Sequence, residues 1–119
     1  MEQTKSLVNA IVKGIQEKKG CRIVVADLSG IEGTICQCFV VCQGGSPAQV
    51  EAITESVGDT ARKELAEKPA RVVGLQQAQW VAMDYGDVLV HIFLPDVRSF
   101  YDLEHLWADA PLTYIPDLD

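Results

Sequence analysis

The sequence predicts an α/β domain in which helices flank a mixed sheet. Two helical patterns and several β-branched runs alternate along the chain in the order α-β-β-α-β-β-β-α, and the strand at 71–75 has the weakest pattern. The chain has 119 residues, which is enough to bury a core without disulfides or a structural metal. We therefore expect a single domain over residues 1–119.

The first half of the chain contains one helix and two strands. Apolar residues recur at helical spacing over residues 4–19, and Gly20 follows as a helix stop. A β-branched run predicts a strand over 22–28. The stretch 34–42 is apolar at both alternating sets of positions, which indicates a central strand covered on both faces.

The second helix has the clearest start in the chain. Ser46 suits the N-cap, Pro47 suits the first helical position, and Gln49 completes a capping box. The apolar face of this helix extends to Leu65, and the helix ends before Pro69.

A hairpin follows, in which Tyr85-Gly86 is expected to join strands over 80–84 and 87–94. This register places Asp84 opposite Asp87 and Trp80 opposite His91. One face is then wholly apolar and belongs in the core; it carries Val81, Met83, Val88, Val90, Ile92 and Leu94. The other face mixes aromatic and acidic residues and is expected to meet solvent or a partner; it carries Trp80, Ala82, Asp84, Asp87, Leu89, His91 and Phe93.

The last helix is predicted after Pro95, with Asp96 as its cap. Its apolar positions include Val97, Phe100, Leu103 and Leu106, and Trp107 lies near its end. The acidic tail over 109–119 contains two prolines and is expected to be partly irregular.

Composition narrows the range of functions. A net charge of -7 argues against a nucleic-acid binder, which would neutralise phosphates with Lys and Arg, and it suits solubility, a cation or a basic partner. No apolar run approaches the roughly 20 residues that span a bilayer, and no presequence is evident, so we expect a cytoplasmic protein.

The cysteines do not predict a metal site. Cys21, Cys36, Cys38 and Cys42 lack the Cys-x2-Cys spacing of structural zinc sites, and Cys36 and Cys38 are expected to share one face of a strand. We interpret them as small core residues and expect neither a metal nor a cofactor.

The candidate contact residues lie around the hairpin, and each has a structural alternative. Asp84 and Asp87 either bind turn amides or meet a basic partner or a cation. Trp80 is either a half-buried sheet residue or an interface anchor. His91 is more typical of a structural strand residue than of a catalyst. Tyr101 and Glu104 share a helix face that is either solvated or part of the contact.

A metal-dependent enzyme is a second hypothesis. The turn 44–46 before a helix is similar to the start of a nucleotidyltransferase motif, and Ser46 with Asp84 and Asp87 would form its site. Such enzymes need acids at Asp-x-Asp or Asp-x-Glu spacing on the next strand, whereas Asp84-Tyr85-Gly86-Asp87 has a different spacing. We therefore expect no enzyme activity.

Residues 80–107 carry a specific pattern: Trp, then Asp-x-Gly-Asp, Val-His-[IV]-Phe and Arg-x-x-Tyr-x-Leu-Glu-x-Leu-Trp. The residues concerned are Trp80, Asp84, Gly86, Asp87, Val90, His91, Ile92, Phe93, Arg98, Tyr101, Leu103, Glu104, Leu106 and Trp107. This pattern closely resembles the signature of the ribosomal silencing factor, or Iojap, family. Ala48 and Gln37-Cys38 depart from the family, which often has Arg and Asp-Tyr there.

The resemblance implies a nucleotidyltransferase-like fold without that activity. It further implies binding to the large ribosomal subunit through ribosomal protein fourteen, which would sterically prevent subunit joining and lower translation when nutrients are scarce. The expected partner-binding residues are Trp80, Asp84, Tyr85, Asp87, His91, Tyr101 and Glu104. An acidic adaptor for another basic protein is the remaining alternative, and a homodimer is left open.

Overall fold

The computed structural model describes residues 2–30, 36–103 and 110–118. These ranges contain three helices and six strands. In chain order they are α1 (Glu2–Glu17), β1 (Cys21–Asp27), β2 (Cys38–Gln43), α2 (Pro47–Leu65), β3 (Arg71–Val73), β4 (Trp80–Asp84), β5 (Val88–Phe93), α3 (Pro95–Tyr101) and β6 (Leu112–Ile115). The predicted α/β class is confirmed, with one strand more than the sequence predicts.

All six strands join one mixed sheet in the order β3-β4-β5-β2-β1-β6. Only the β2–β5 pair is parallel among these strands. β2 lies in the middle of the sheet, and its residues Cys38–Cys42 are all buried, which confirms the prediction of a covered central strand. This strand begins at Cys38 rather than at residue 34; residues 34 and 35 lie outside the described part.

Helices α1 and α2 pack together on one side of the sheet, which we call the helix face. They approach closely at Gly14, where an added Cβ would lie 2.8 Å from Val57 Cα. There Ser56 Oγ donates a hydrogen bond of 2.7 Å to the Gly14 carbonyl. The core beneath includes Leu7, Ile11, Ile15, Ile23, Val40, Val50, Ile53, Val57, Val81, Met83, Val88, Val90 and Ile92.

The opposite side of the sheet, the outer face, is covered over its middle strands and exposed toward β3 and β4. The covered part includes Ala26, Leu28, Cys36, Phe39, Val41, Phe93 and Ala110, against which Val97, Leu103 and Leu112 pack. Toward the other end Val73 is exposed, and Ala82, Asp84 and Leu89 are only half-buried. The sheet therefore presents an accessible surface at its β3–β4 end.

The β4–β5 hairpin differs from the predicted register by two residues. The observed pairs are Trp80–Phe93, Val81–Ile92, Ala82–His91, Met83–Val90 and Asp84–Leu89. The predicted pairs of Asp84 with Asp87 and of Trp80 with His91 are therefore wrong. The connection is longer than two residues, and Gly86 adopts a φ of 87° within it. Because the shift is an even number, every residue of β4 and β5 keeps its predicted face. Asp87 precedes β5, and its predicted place on the mixed face is wrong.

The third helix is shorter than the sequence predicts. It ends at Tyr101, and Asp102 is its C-cap in the left-handed conformation. Residues 104–107 of the predicted helix lie outside the described part. Its N-cap is Leu94 rather than Asp96, which lies in the first turn. Phe100, one of the apolar residues of this helix, is 80% exposed.

The acidic tail is more ordered than predicted. Within 109–119, Leu112–Ile115 form β6 and pair with β1. Asp117 Oδ1 accepts a hydrogen bond of 2.8 Å from the backbone N–H of Arg22, whose φ is 54°. The buried Arg98 guanidinium donates to the carbonyl of the same residue at 2.6 Å. The tail and α3 therefore both bind the irregular start of β1.

Cys36, Cys38 and Cys42 are core residues, as predicted, whereas Cys21 is only half-buried. The prediction that Cys36 and Cys38 share one face is wrong. Cys38 and Cys42 lie in the core of the helix face, whereas Cys36 belongs to the cluster on the outer face. The reason is that Cys36 precedes β2, so strand alternation does not apply to it. Burial raises the pKa of the Cys38 thiol to about 12, so this side chain is a neutral packing residue.

Candidate partner-binding site

Five rings meet on the outer face and form what we call the aromatic cluster: Phe39, Trp80, His91, Phe93 and Tyr101. Strand alternation places Trp80, His91 and Phe93 on the same face, and α3 adds Tyr101. The Trp80 ring centroid lies 5.0 Å from that of Phe93 and 4.6 Å from that of Tyr101. The half-buried indole thus lies between the buried Phe93 and the exposed Tyr101.

His91 lies inside this cluster and is only 6% exposed. Its Nδ1 accepts a hydrogen bond of 3.1 Å from Trp80 Nε1. Burial lowers the pKa of His91 to about 4, so the ring is neutral near pH 7 and its proton resides on Nε2. Nε2 is buried and has no hydrogen-bond partner among the described residues. An unmet buried donor costs roughly 1–3 kcal/mol.

Tyr101 of the aromatic cluster and the neighbouring Phe100 are both exposed. Tyr101 is 49% exposed, and the two rings meet edge to face with centroids 5.0 Å apart. Large exposed apolar side chains that adjoin one another are typical of protein contact sites. Phe100 lies at helical spacing from Val97, and only the observed packing shows that Val97 contacts the outer face while Phe100 is exposed.

Asp84 lies on the outer face at the far end of β4 from Trp80. The two residues are four positions apart along the strand, a distance of roughly 13 Å. Asp84 Oδ1 accepts a hydrogen bond of 2.8 Å from the Gly86 N–H, which is the turn role that the sequence left open. Arg71 lies directly opposite on β3. One carboxylate oxygen of Asp84 therefore accepts the hydrogen bond within the turn. The half-buried side chain lies at the edge of the accessible surface.

Two of the predicted residues lie on the helix side of the hairpin. Tyr85 packs against the core of the helix face, and burial raises its pKa to about 12. Asp87 Oδ2 accepts a hydrogen bond of 3.5 Å from Thr4 Oγ1 at the start of α1. The structure thus brings Trp80, Asp84, His91 and Tyr101 to the outer face and separates Tyr85 and Asp87 from them.

The last predicted residue, Glu104, lies outside the described residues. The structure adds three accessible apolar residues to the outer face that sequence reasoning did not select: Phe100, Val73 and Leu89. Leu89 was assigned to the mixed face of the hairpin, so alternation could have identified it. Val73 had no comparable signal, because its face depends on the pairing of β3 with β4.

Residues 1–119 match the model of a protein family described as ribosomal silencing factor during starvation. The chain belongs to this family. Ribosomal silencing factors are named for a regulatory role, which is consistent with a protein that is not an enzyme.

Individual relatives extend over most of the chain. The ribosomal silencing factor of Bacillus subtilis is 38% identical over 115 residues, which cover 97% of this chain and 93% of that protein. The one from Halalkalibacterium halodurans is 38% identical over 107 residues, which cover 90% of each chain. The chloroplastic protein Iojap of Zea mays is 33% identical over 78 residues, which cover 66% of this chain and 33% of that protein.

Solved structures share the fold. A crystal structure of a protein from Chromobacterium violaceum superimposes with a TM-score of 0.82 at 31% identity and covers 92% of this chain and 90% of its own. A second crystal structure, from Bacillus halodurans, gives a TM-score of 0.79 at 33% identity and covers 93% of this chain and 99% of its own. The two solved structures therefore share the fold of this chain.

The constellation required by the enzyme hypothesis does not form in this silencing factor. Ser46 follows the end of β2, whereas Asp84 and Asp87 precede β5, whose first residue pairs with the first residue of β2. A six-residue strand, roughly 20 Å long, separates the two ends. The turn is also used as a helix cap, since Gln49 donates its N–H to Ser46 Oγ and accepts from the Gly45 N–H through Oε1.

Within residues 2–30, 36–103 and 110–118, no His, Cys, Asp and Glu side chains group as three or more potential metal ligands. In the same part of the chain, no helix combines the length and the apolar character needed to cross a bilayer.

Proposed function

We propose that this ribosomal silencing factor binds the large ribosomal subunit through ribosomal protein fourteen and sterically blocks association with the small subunit, which lowers translation when nutrients are scarce. Family membership supports the ribosomal role. The observation that carries the binding mode is the accessible end of the outer face, where aromatic side chains lie on the same face as Asp84.

The proposed docking surface consists of Val73, Trp80, Asp84, Leu89, Phe100 and Tyr101. Aromatic side chains supply large contact area with few rotatable bonds, so they dominate the binding energy of many interfaces. Ribosomal proteins are generally basic, and a chain with a net charge of -7 attracts them. On this surface Tyr101 and Phe100 would contact the partner first, while Asp84 would select for a basic group.

Steric exclusion follows from size. The domain measures 36 × 33 × 29 Å. Contacts between macromolecules are packed at nearly the density of protein interiors, so a body of this size cannot remain in a closed contact between two subunits. The domain needs no catalytic step to act in this way.

The binding mode is tested by co-sedimentation with purified large subunits. The double variant Trp80→Ala with Asp84→Lys is expected to weaken binding by at least about thirtyfold, because truncating an aromatic anchor typically costs roughly 2 kcal/mol or more. The matched control is Tyr114→Ala with Glu51→Lys, which makes comparable changes on β6 and on α2, away from the docking surface. The control is expected to bind like the unaltered protein.

Equal binding by the test and control variants, with both shown to be folded by circular dichroism, would show that the docking surface is elsewhere. A pull-down from lysate with the same variants identifies the partner. Recovery of ribosomal protein fourteen with the unaltered protein and its loss with the test variant is the expected result, whereas recovery of a different basic protein would favour the adaptor alternative.

The steric mechanism has its own measurement. Light scattering follows the joining of purified small and large subunits, and a stoichiometric amount of the unaltered protein is expected to prevent the increase in scattering. The double variant at the same concentration is expected to leave joining intact. Normal joining while the unaltered protein remains bound would refute steric exclusion.

We extend the proposal to location and self-association. A ribosomal partner places the protein in the cytoplasm. A homodimer would use the free edge of β3, where Val72, Val73 and Leu75 are exposed and can pair with a second strand. Sedimentation velocity tests this, since Val72→Lys is expected to abolish any concentration-dependent dimer, and an unchanged dimer would place the interface elsewhere.

A further inference from the structure

We infer that His91 is a positioning residue of the docking surface, which holds the Trp80 indole with its N–H directed inward. The inference deepens the proposed function and rests on it for its consequence in binding. Its structural part rests on the contacts of the imidazole alone. These contacts explain a side chain whose burial is otherwise unfavourable.

The imidazole is poorly suited to its surroundings as a packing residue. His91 is flanked by Phe39 at 4.9 Å and Phe93 at 6.2 Å between ring centroids, and it buries Nε2 without a partner among the described residues. A phenylalanine would fill this space without an unmet donor. What the imidazole provides and phenylalanine cannot is an acceptor for the Trp80 N–H.

That acceptor determines which part of the indole faces outward. Trp80 Nε1 donates to His91 Nδ1 at 3.1 Å, so the polar edge of the indole is directed into the cluster. The remaining accessible part of the half-buried ring is apolar. A partner therefore meets a hydrocarbon surface at Trp80 and makes no hydrogen bond to its indole.

The same hydrogen bond positions a second residue of the docking surface. Tyr101 rests on Trp80, with ring centroids 4.6 Å apart. Without an acceptor, the indole N–H would lower its energy by turning toward water, and the rotated ring would displace Tyr101. His91 thus acts on the partner through Trp80 and Tyr101 and makes no contact with the partner itself.

The hydrogen bond is tested on the free protein. The variant His91→Phe retains an aromatic ring and removes the acceptor, whereas His91→Asn places an amide oxygen near the position of Nδ1. The indole N–H signal of Trp80, assigned in nitrogen-labelled protein by its absence in Trp80→Phe, is expected to shift in His91→Phe and to exchange with solvent at least about tenfold faster. His91→Asn is expected to restore most of its protection.

The consequence for docking is tested by binding to large subunits. His91→Phe is expected to bind roughly tenfold more weakly although its thermal unfolding midpoint at pH 7.5 is not lowered, and His91→Asn is expected to recover binding to within about threefold. An unchanged indole signal in His91→Phe overturns the inference, and so does unchanged binding when the signal has shifted. If Trp80→Ala with Asp84→Lys also binds normally, the proposed docking surface is wrong, and the indole signal still decides whether His91 orients Trp80.

Discussion

His91 illustrates how a single buried residue links stability to the surface above it. The ring is neutral because burial disfavours its charged form, and burial lowers its pKa to about 4. Its neutral form accepts the Trp80 N–H, so protonation would remove the acceptor as well as place a charge in an aromatic cluster. The same residue should therefore make the protein sensitive to acid.

Acid is expected to destabilise the fold through His91. The folded pKa of about 4 lies below the ordinary value of 6.5, so the unfolded chain binds more protons between these values. The contribution is fully present above pH 6.5 and is lost as the pH falls toward 4. The shift corresponds to about 3 kcal/mol over the whole range and roughly 2 kcal/mol at pH 5.

Urea unfolding at pH 7.5 and pH 5.0 measures this loss, and His91→Phe is the control. Other titrating groups contribute almost equally to both proteins, so the difference between their changes isolates His91. An equal fall in the free energy of unfolding for both proteins would refute the prediction.

At the scale of elements, the contact between α1 and α2 depends on one glycine. Gly14 allows the two helix backbones to approach, because a Cβ there would lie 2.8 Å from Val57 Cα and 3.0 Å from the Ser56 carbonyl oxygen. Gly58 in α2 differs, since the nearest atom to an added Cβ is Met83 Cε at 4.0 Å. Gly14 is therefore required by the close approach of the helices, whereas the position of Gly58 has space for a side chain.

The variants Gly14→Ala and Gly58→Ala form a matched pair. Gly14→Ala is expected to lower the free energy of unfolding by about 1–3 kcal/mol, because the helices must separate. Gly58→Ala is expected to raise it by about 0.5–1 kcal/mol, because alanine loses less backbone entropy in a helix. Chemical denaturation measures both values, and the same sign for the two variants would contradict this account of the helix contact.

At the scale of the whole molecule, the last strand forms one edge of the sheet. β6 covers the edge of β1, and the Asp27 N–H donates to the Pro111 carbonyl at 3.0 Å. Because amides alternate along a strand, the Val25 N–H points the same way, while Val24 and Ala26 point toward β2. The last strand therefore protects one side of β1.

Removal of residues 111–119, which includes the acceptor of the Asp27 N–H, is expected to expose one side of β1 selectively. Hydrogen exchange should accelerate at Val25 and Asp27 more than at Val24 and Ala26, whose partners on β2 remain. The unaltered protein, with four protected amides, is the reference. Uniform acceleration at all four positions would mean that the truncated chain unfolds as a whole, in disagreement with the prediction.

The sequence alone determined the fold class, the family resemblance and the faces of most strand residues. These depend on local periodicity, and side chains alternate across a strand whatever its pairing, so even a register error of two residues left Val81 and Trp80 on the correct sides. The same alternation identified the mixed face that carries Asp84 and His91.

Only the tertiary structure decided which of these residues are accessible and how they are held. The burial of His91, the exposure of Phe100, the separation of Tyr85 from Trp80 and the pairing of β6 with β1 each depend on segments distant in sequence. Local patterns carry no information on such contacts, because burial and pairing are set by the packing of whole elements against one another.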